Sequence, residues 1–150
     1  MKKRISLIHQ AGALRSYFPS SNITRKGERE LIWVGELTPT PLSDTYKIKL
    51  HFLDGEFIRI NVLAPVLRLA PTATGLPHVY STEKQELCLY YPKDNEWDPS
   101  MYYVRTLIPW ASEWLYHYEV WLATGGVWHG GGIDHNGNEE TKQQVAALLN

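Results

Sequence analysis

The first apolar pattern along the chain predicts a short amphipathic helix. Leu7, Ala11 and Leu14 recur at spacings of four and three residues, which places them on one face of a helix. We expect this helix to end near Pro19, because proline is a common helix-stop signal. Residues 20–30 are polar and show no such periodicity. The sequence therefore predicts a helix near the start of the chain and a loop after it.

A series of β-like runs follows this loop and predicts an antiparallel meander. Alternation is clearest in the second run, where Tyr46, Ile48 and Leu50 share one face. Lys47 and Lys49 point to the opposite face, as in a sheet with one face buried. The last run is short and flanked by prolines, so it is predicted as an edge strand. The four runs are residues 31–37, 45–52, 56–63 and 65–71.

The regular pattern stops after the predicted sheet. Residues 72–100 carry three prolines, a glycine and many polar side chains, which predicts a long loop. The apolar residues 87–91 lie within this loop and can hold it in place by burial. Long ordered loops often carry functional residues. We therefore expect the functional residues of this protein in this segment.

A second helix is predicted over residues 101–124, with a break or a new start near Pro109. Proline is tolerated in the first turn of a helix and disrupts its interior. Trp110, Trp114 and Trp121 fall on nearly one stripe, which we expect to pack on the sheet. Together the patterns predict an α+β fold with an N-terminal helix, a four-stranded antiparallel meander, a long loop and a packed helix.

Length and composition indicate a single domain. The chain has 150 residues, of which 43% are hydrophobic, enough for one buried core. We expect one domain over residues 1–150, with a tail from about residue 130 that is flexible and ends in a short helix. The glycines at 130–132 lack the surroundings of a phosphate-binding loop and are expected to form a linker or to approach a partner closely.

The charge balance points to protein or small-molecule partners. Fifteen basic and sixteen acidic residues give a formal charge of -1, so no broad basic face for nucleic acid or an anionic membrane is expected. No apolar run approaches the roughly 20 residues of a membrane span. The first residues also lack the apolar region of a secretory signal. We therefore expect a cytosolic protein.

The single cysteine, Cys88, is the main chemical candidate. Alone it can form neither an internal disulfide nor a four-thiolate zinc site, so its value lies in packing or in reactivity. His117, His129 and His135 lack zinc-type spacing, and Asp134 is the only carboxylate near them. We therefore expect no metal site.

Three short elements around the cysteine resemble the active-site region of ubiquitin-conjugating enzymes. In that family, a His-Pro-Asn-Val/Ile element precedes Ile-Cys-Leu, and Trp-x-Pro follows. Cys88 matches the catalytic cysteine of the family, and Trp97 and Pro99, which we expect to brace the loop by burial, match the last element. The elements of this chain are Leu76-Pro77-His78-Val79-Tyr80, Cys88-Leu89 and Trp97-Asp98-Pro99.

The resemblance covers roughly residues 5–123, and its specific part is confined to residues 76–99. One helix followed by a four-stranded meander also matches the family's fold, so the resemblance implies a UBC-like fold. Two positions depart from the pattern: Leu76 replaces the histidine of the first element, and His78 replaces its asparagine. The interval to the cysteine is also about two residues longer than in typical eukaryotic members. The chain is thus similar to divergent bacterial relatives.

The late helix and the Trp128-His129-Gly130 segment resemble the bacterial conjugating-enzyme-like proteins of antiphage operons, notably cyclic-oligonucleotide signalling (CBASS) operons. This resemblance implies a protein acyl donor, which is a ubiquitin-like protein or the C-terminus of a cGAS-like nucleotidyltransferase. It also implies an amine acceptor. The sequence has no nucleotide-binding glycine motif, so the acyl group must come from an activating enzyme or an already reactive donor.

The chemistry of the residues agrees with such a transfer. Thiolates are strong nucleophiles, and an amine can attack the resulting thioester without any metal or organic cofactor, so none is expected. His78 is the candidate for stabilising the oxyanion or for taking a proton from the amine. It could equally fix the loop by hydrogen bonding to backbone. We predict Cys88 and His78 as the catalytic residues.

Three functions stay open from the sequence. The first is an acyl transferase that uses Cys88 as its carrier. The second is a non-catalytic interaction module of the same fold, in which the cysteine is buried and inert. The third is a Cys–His hydrolase, which requires a polar group to orient its base. The cysteine within the matching motif favours the first.

Overall fold

The computed structural model describes residues 3–130, which form an α+β fold with one six-stranded antiparallel sheet. Helix α1 precedes the sheet and α2 follows it, and short 3₁₀ turns at Pro92–Asp94 and Tyr103–Arg105 lie between the sheet and α2. The helices are α1 (Leu7–Tyr17) and α2 (Leu107–Ala123), and the strands are β1 (Asn22–Lys26), β2 (Glu30–Leu37), β3 (Tyr46–Leu53), β4 (Arg59–Ala64), β5 (Val79–Ser81) and β6 (Glu86–Leu87).

The order of the strands places the cysteine directly after β6, the strand next to the edge strand β5. Strands β1 to β4 form a meander, and the short hairpin of β5 and β6 extends it in the order β1-β2-β3-β4-β6-β5. Asn61 of β4 pairs with Glu86 of β6, and Val79 of β5 pairs with Leu87. Because β6 ends at Leu87, Cys88 is the first residue after the last paired strand.

A meander is present, but the sheet has six strands and not the predicted four, because β5 and β6 lie in the predicted loop 72–100. Of the meander itself, one strand was missed and one was predicted wrongly. Strand β1 lies in the polar segment that was expected to be a loop. It is an edge strand with four of its five residues exposed, so it carries no apolar alternation. The run 65–71 is not a strand. Its Leu67 and Arg68 N–H groups donate to the Gln85 side chain (2.6 Å) and the Tyr118 hydroxyl (2.7 Å) instead of to a neighbouring strand.

The core lies between α1, α2 and one face of the sheet. Leu7, Ala11 and Leu14 of α1 are fully buried, which confirms the predicted helical face. In β2, Trp33 is also fully buried, and its indole lies over Gly35, where a Cβ atom would come within 2.2 Å of the ring. Only glycine fits at this position of the strand, because the indole fills the space of any side chain.

Helix α2 joins the core to the loop that carries the cysteine. It starts at Leu107, so Pro109 falls in its first turn, which confirms the predicted new start. Trp114 and Trp121 are buried in the core, as the stripe predicted, whereas Trp110 is only half-buried. Glu119 accepts hydrogen bonds from Ser43 and Tyr46, and this fixes α2 to the sheet side of the core.

Within residues 3–130, no helix is both long and apolar enough to cross a membrane. The predicted tail and its helix, most of the glycine segment 130–132, Asp134 and His135 lie outside the described residues. The extent of the single domain stays a prediction.

Candidate active site

Cys88 lies at the end of β6 with its backbone held by the preceding turn. Its N–H donates to the His78 carbonyl at 3.1 Å, and its thiol donates to the Tyr90 carbonyl at 3.5 Å. The residue is 9% exposed. The cysteine is therefore placed by backbone contacts on both sides, with a small accessible surface.

His78 is buried beside the cysteine, and its backbone takes part in the site as much as its ring. Its φ of 49° is left-handed, a conformation that histidine and asparagine adopt more readily than most residues. The His78 carbonyl accepts hydrogen bonds from the Cys88 N–H and from the Trp114 indole at 3.0 Å. The ring lies 4.9 Å from the Trp128 ring, centroid to centroid. The turn thus links β5, the cysteine and α2.

Cys88 and His78 line one cavity of about 470 Å³. Aromatic rings form much of its wall, and three carboxylates, with no lysine or arginine among its described lining residues, make it electrically negative. We call it the acidic cavity. The carboxylates are those of Asp94, Glu96 and Glu113, and the indoles are those of Trp110, Trp114 and Trp128.

A histidine and a glutamate of α2 face the same cavity. His117 and Glu113 are one helical turn apart, with 3.8 Å between Nε2 and Oε1. His117 Nδ1 is buried and makes no hydrogen bond within residues 3–130. Gly130 lies against this ring, since a Cβ there would come within 2.8 Å of it. His117 was considered from the sequence only as a metal ligand, and its helical spacing from Glu113 was the signal that could have revealed the pair.

Tyr80 is a second group that the sequence did not single out. Its hydroxyl donates to the Tyr90 carbonyl at 3.4 Å, the oxygen that the Cys88 thiol also contacts. Burial raises the pKa of the Tyr80 phenol, and the negative charge of an ionised Cys88 raises it further. The available signal was its place in the Leu-Pro-His-Val-Tyr element, directly after Val79, which matches the family's Val/Ile position.

A second cavity, of about 690 Å³, shares Leu89, Tyr90 and Tyr91 with the first. Its lining combines both signs of charge with apolar side chains, among them Phe57, which is 74% exposed. Tyr80 lines it, whereas Cys88 does not. We call it the mixed-charge groove. Its charged lining residues are Glu56, Arg59, Glu86 and Lys93.

Trp97 is half-buried against the core and braces the loop, whereas Pro99 is exposed, so the expected bracing by burial is wrong for Pro99. The Trp97 indole N–H donates to Thr106 at 3.1 Å, and its ring lies 5.6 Å from that of Tyr90. The Pro99 carbonyl accepts the Ile5 N–H at 2.9 Å. These contacts attach the loop to the start of the chain and to the start of α2. Both residues are absent from the described lining of the two cavities.

Within the described chain, no group of three histidine, cysteine or acidic side chains has an arrangement that could hold a metal ion. His117 and His129 therefore belong to no such group there.

Fold and site define an α+β protein whose single cysteine lies in the wall of an aromatic, negatively charged cavity. The chain belongs to the family of type II CBASS E2 proteins, whose model matches residues 10–136. This match includes Cys88, His78 and every lining residue of both cavities. It confirms the resemblance to the conjugating-enzyme-like proteins of CBASS operons. No curated protein matches the chain.

Proposed function

We propose that this E2-like protein carries the C-terminal acyl group of a protein as a thioester on Cys88 and passes it to an amine. The observation that carries the proposal is the position of the only cysteine in the wall of the acidic cavity. A nucleophile there meets space for a substrate side chain and carboxylates that attract an ammonium group. The family match supports the same class of chemistry.

The donor in this proposal is a ubiquitin-like protein or a cGAS-like nucleotidyltransferase of the CBASS system. Its C-terminal carbonyl carbon reaches Cys88 from an activating enzyme or another reactive donor. The Cys88 thiolate forms the new C–S bond while the previous leaving group departs with the electron pair of the broken bond. Neither a metal nor an organic cofactor is needed for this exchange. We place the reaction in the bacterial cytoplasm.

The acceptor in this proposal is a primary amine, such as a lysine side chain. Its ammonium form is attracted by the carboxylates of the acidic cavity and must lose a proton before it attacks. The nitrogen then forms a bond to the acyl carbon, and the C–S bond breaks with its electron pair returning to sulfur. His78, beside the cysteine, is the candidate for stabilising the oxyanion or accepting the proton.

A non-catalytic interaction module is the second candidate. The observation in its favour is the 9% exposure of Cys88, which is typical of a cysteine that serves only packing. In that case the exposed aromatic and apolar groups of the mixed-charge groove would hold a protein partner.

The experiment that tests the proposal recovers the protein from its bacterial host during phage infection and compares non-reducing with reducing electrophoresis. We expect an adduct that thiol and hydroxylamine cleave, and mass spectrometry of its peptides identifies the donor. Cys88→Ser should convert it to a hydroxylamine-stable oxyester, and Cys88→Ala should abolish it. If the wild-type protein carries no adduct and Cys88 resists alkylation in the folded state, the interaction module replaces the transferase.

A further inference from the structure

Two side-chain donors meet at one backbone oxygen beside the cysteine. The Cys88 thiol and the Tyr80 hydroxyl approach the Tyr90 carbonyl oxygen at 3.5 and 3.4 Å, respectively. Burial raises the pKa of the Tyr80 phenol, and the charge of an ionised Cys88 and hydrogen bonding to that residue add to this shift. The hydroxyl and the sulfur that carries the acyl group in the proposed function therefore share one acceptor oxygen.

Ionisation of the cysteine changes which groups can donate a hydrogen bond to the Tyr90 carbonyl oxygen. A thiolate has no proton to donate, so its negative charge faces the partial negative charge of the Tyr90 carbonyl. A tyrosine hydroxyl turns about its C–O bond and can donate to either acceptor. Hydrogen bonds to an ionised acceptor are roughly twice as strong as those between neutral groups. The Tyr80 proton is thus expected to turn from the carbonyl to the thiolate as the sulfur becomes charged.

The negative charges around the cysteine destabilise its thiolate, which a hydrogen-bond donor to the sulfur would stabilise. Carboxylates reach the acidic cavity from the loop after the cysteine and from α2. Each carboxylate is negatively charged and therefore disfavours a negative charge on the Cys88 sulfur. The raised pKa of Tyr80 keeps its hydroxyl protonated, so it remains a donor at neutral pH. The titratable groups that line the cavity with Cys88 are His78, Tyr90, Tyr91, Asp94, Glu96, Glu113 and His117.

We propose that Tyr80 is a catalytic residue whose hydroxyl donates a hydrogen bond to the Cys88 sulfur whenever that sulfur is negatively charged. The inference rests on the proposed function and deepens it. During loading, the bond stabilises the attacking thiolate. During transfer, the amine nitrogen bonds to the acyl carbon and loses its proton to a base, and the C–S bond breaks. The electron pair then returns to sulfur, where the Tyr80 hydroxyl stabilises it as a leaving group.

The test compares Tyr80→Phe with Tyr116→Phe. The two tyrosines are similarly exposed, at 42% and 45%, and Tyr116 is absent from the described lining of both cavities. Alkylation by iodoacetamide is followed by intact-protein mass spectrometry from pH 5 to 10. Because the chain has one cysteine, every thiol adduct reports Cys88. Thermal unfolding of each variant checks that the fold is retained.

Tyr80→Phe should slow alkylation at pH 7 about ten-fold and move the midpoint of the pH profile upward by about one unit, as for a lost hydrogen bond to a charged group. Tyr116→Phe should follow the wild type. Coinciding profiles for Tyr80→Phe and wild type would overturn the inference, as would a wild-type thiol that resists alkylation up to pH 10. Coinciding profiles with a reactive thiol overturn only the role of Tyr80, because alkylation needs no acyl donor. Resistance to alkylation combined with the absence of an adduct overturns the transferase as well.

Discussion

The acidic cavity and the mixed-charge groove share the wall formed by Leu89, Tyr90 and Tyr91, but they differ in charge and in chemistry. The acidic cavity contains Cys88. Its other titratable lining groups, among the described residues, are carboxylates, histidines and tyrosines, with no lysine or arginine. The groove carries both signs of charge, exposes Phe57, and has no nucleophile in its lining.

Under the proposed function, this difference assigns separate tasks to the two surfaces. An amine that must reach a thioester is guided by negative charge close to the sulfur, which only the acidic cavity offers. A protein surface binds through exposed apolar side chains surrounded by mixed charges, which describes the groove. Under the proposed function, changes in the cavity should therefore alter the chemical step. Changes in the groove, away from Tyr80 and the shared wall, should alter only the use of protein substrates.

The largest effect should come from His78, whose backbone holds the cysteine wall of the acidic cavity. His78→Val forces a β-branched residue into a left-handed conformation and should lower the free energy of unfolding by about 2 kcal/mol. It should also slow transfer by displacing the carbonyl that accepts the Cys88 N–H. Chemical denaturation and thioester discharge, measured on the same preparations, check both expectations.

His78→Asn is the matched control, because asparagine tolerates the left-handed conformation and is the residue that the resembling family carries there. It should stay within about 1 kcal/mol of the wild type in stability and retain transfer. If the Asn variant loses as much transfer activity as the Val variant, the imidazole ring of His78, and not its backbone conformation, is the essential feature.

Reversing one charge in each cavity gives the next largest effect. For this assay, Cys88 is loaded from a synthetic peptide with a C-terminal 2-mercaptoethanesulfonate thioester, and free lysine discharges it. Glu113→Lys should slow discharge about ten-fold, because a cation then repels the incoming ammonium group. Lys93→Glu in the groove should leave the rate within about two-fold of wild type.

Hydroxylamine is uncharged at neutral pH and provides the control within that assay. It should discharge all the loaded variants at similar rates, since the carboxylates attract only a cation. If Glu113→Lys slows hydroxylamine as strongly as lysine, the substitution has damaged the site, and the electrostatic assignment of the acidic cavity fails.

The parts of the fold that could be predicted from the sequence are those that bury one regular face. The buried face of α1 has a helical period because only one side of the helix meets the core. Strand β1 has no such period, since its pairing with β2 leaves most of its side chains in solvent. In the segment 65–71, Leu67 and Ala70 are buried individually, and side chains from distant elements satisfy the backbone. Apolar content alone therefore predicted a strand there wrongly.

The site residues also fall into those that the sequence could predict and those that only the structure reveals. The short motif brought Cys88 and His78 into one candidate site, and both indeed line the acidic cavity. Their catalytic roles stay predictions. Glu113 and His117 reach that cavity from α2, so their approach depends on the packing of the helix against the loop, which no local pattern specifies. For Tyr80, only the position of the Tyr90 carbonyl revealed that its hydroxyl shares an acceptor with the Cys88 thiol.

A smaller effect is expected from His117, the second imidazole in the described lining of the acidic cavity, whose Nε2 lies 3.8 Å from Glu113 Oε1. His117→Gln keeps a polar side chain of similar size but cannot take a proton from the amine. Lysine discharge should therefore fall about five-fold at pH 7, within the range of a modest general-base contribution. The assay is the discharge described above, and His129→Gln is the control on a histidine outside the described lining. Equal rates for both variants would exclude a contribution of His117 to proton transfer and leave His78 as the candidate base.

The smallest effect on chemistry, and the sharpest test of the division of tasks, is expected from Phe57 in the groove. Since its side chain is 74% exposed, Phe57→Ala should change the free energy of unfolding by only about 0.5 kcal/mol. Lysine discharge of the peptide-loaded protein should be unchanged, because the groove does not contain Cys88. Adduct formation with the protein donor in the host should nevertheless fall, because an exposed aromatic side chain is a common anchor of protein interfaces. Adduct levels equal to wild type would show that Phe57 and the surface of the groove around it take no part in the loading step.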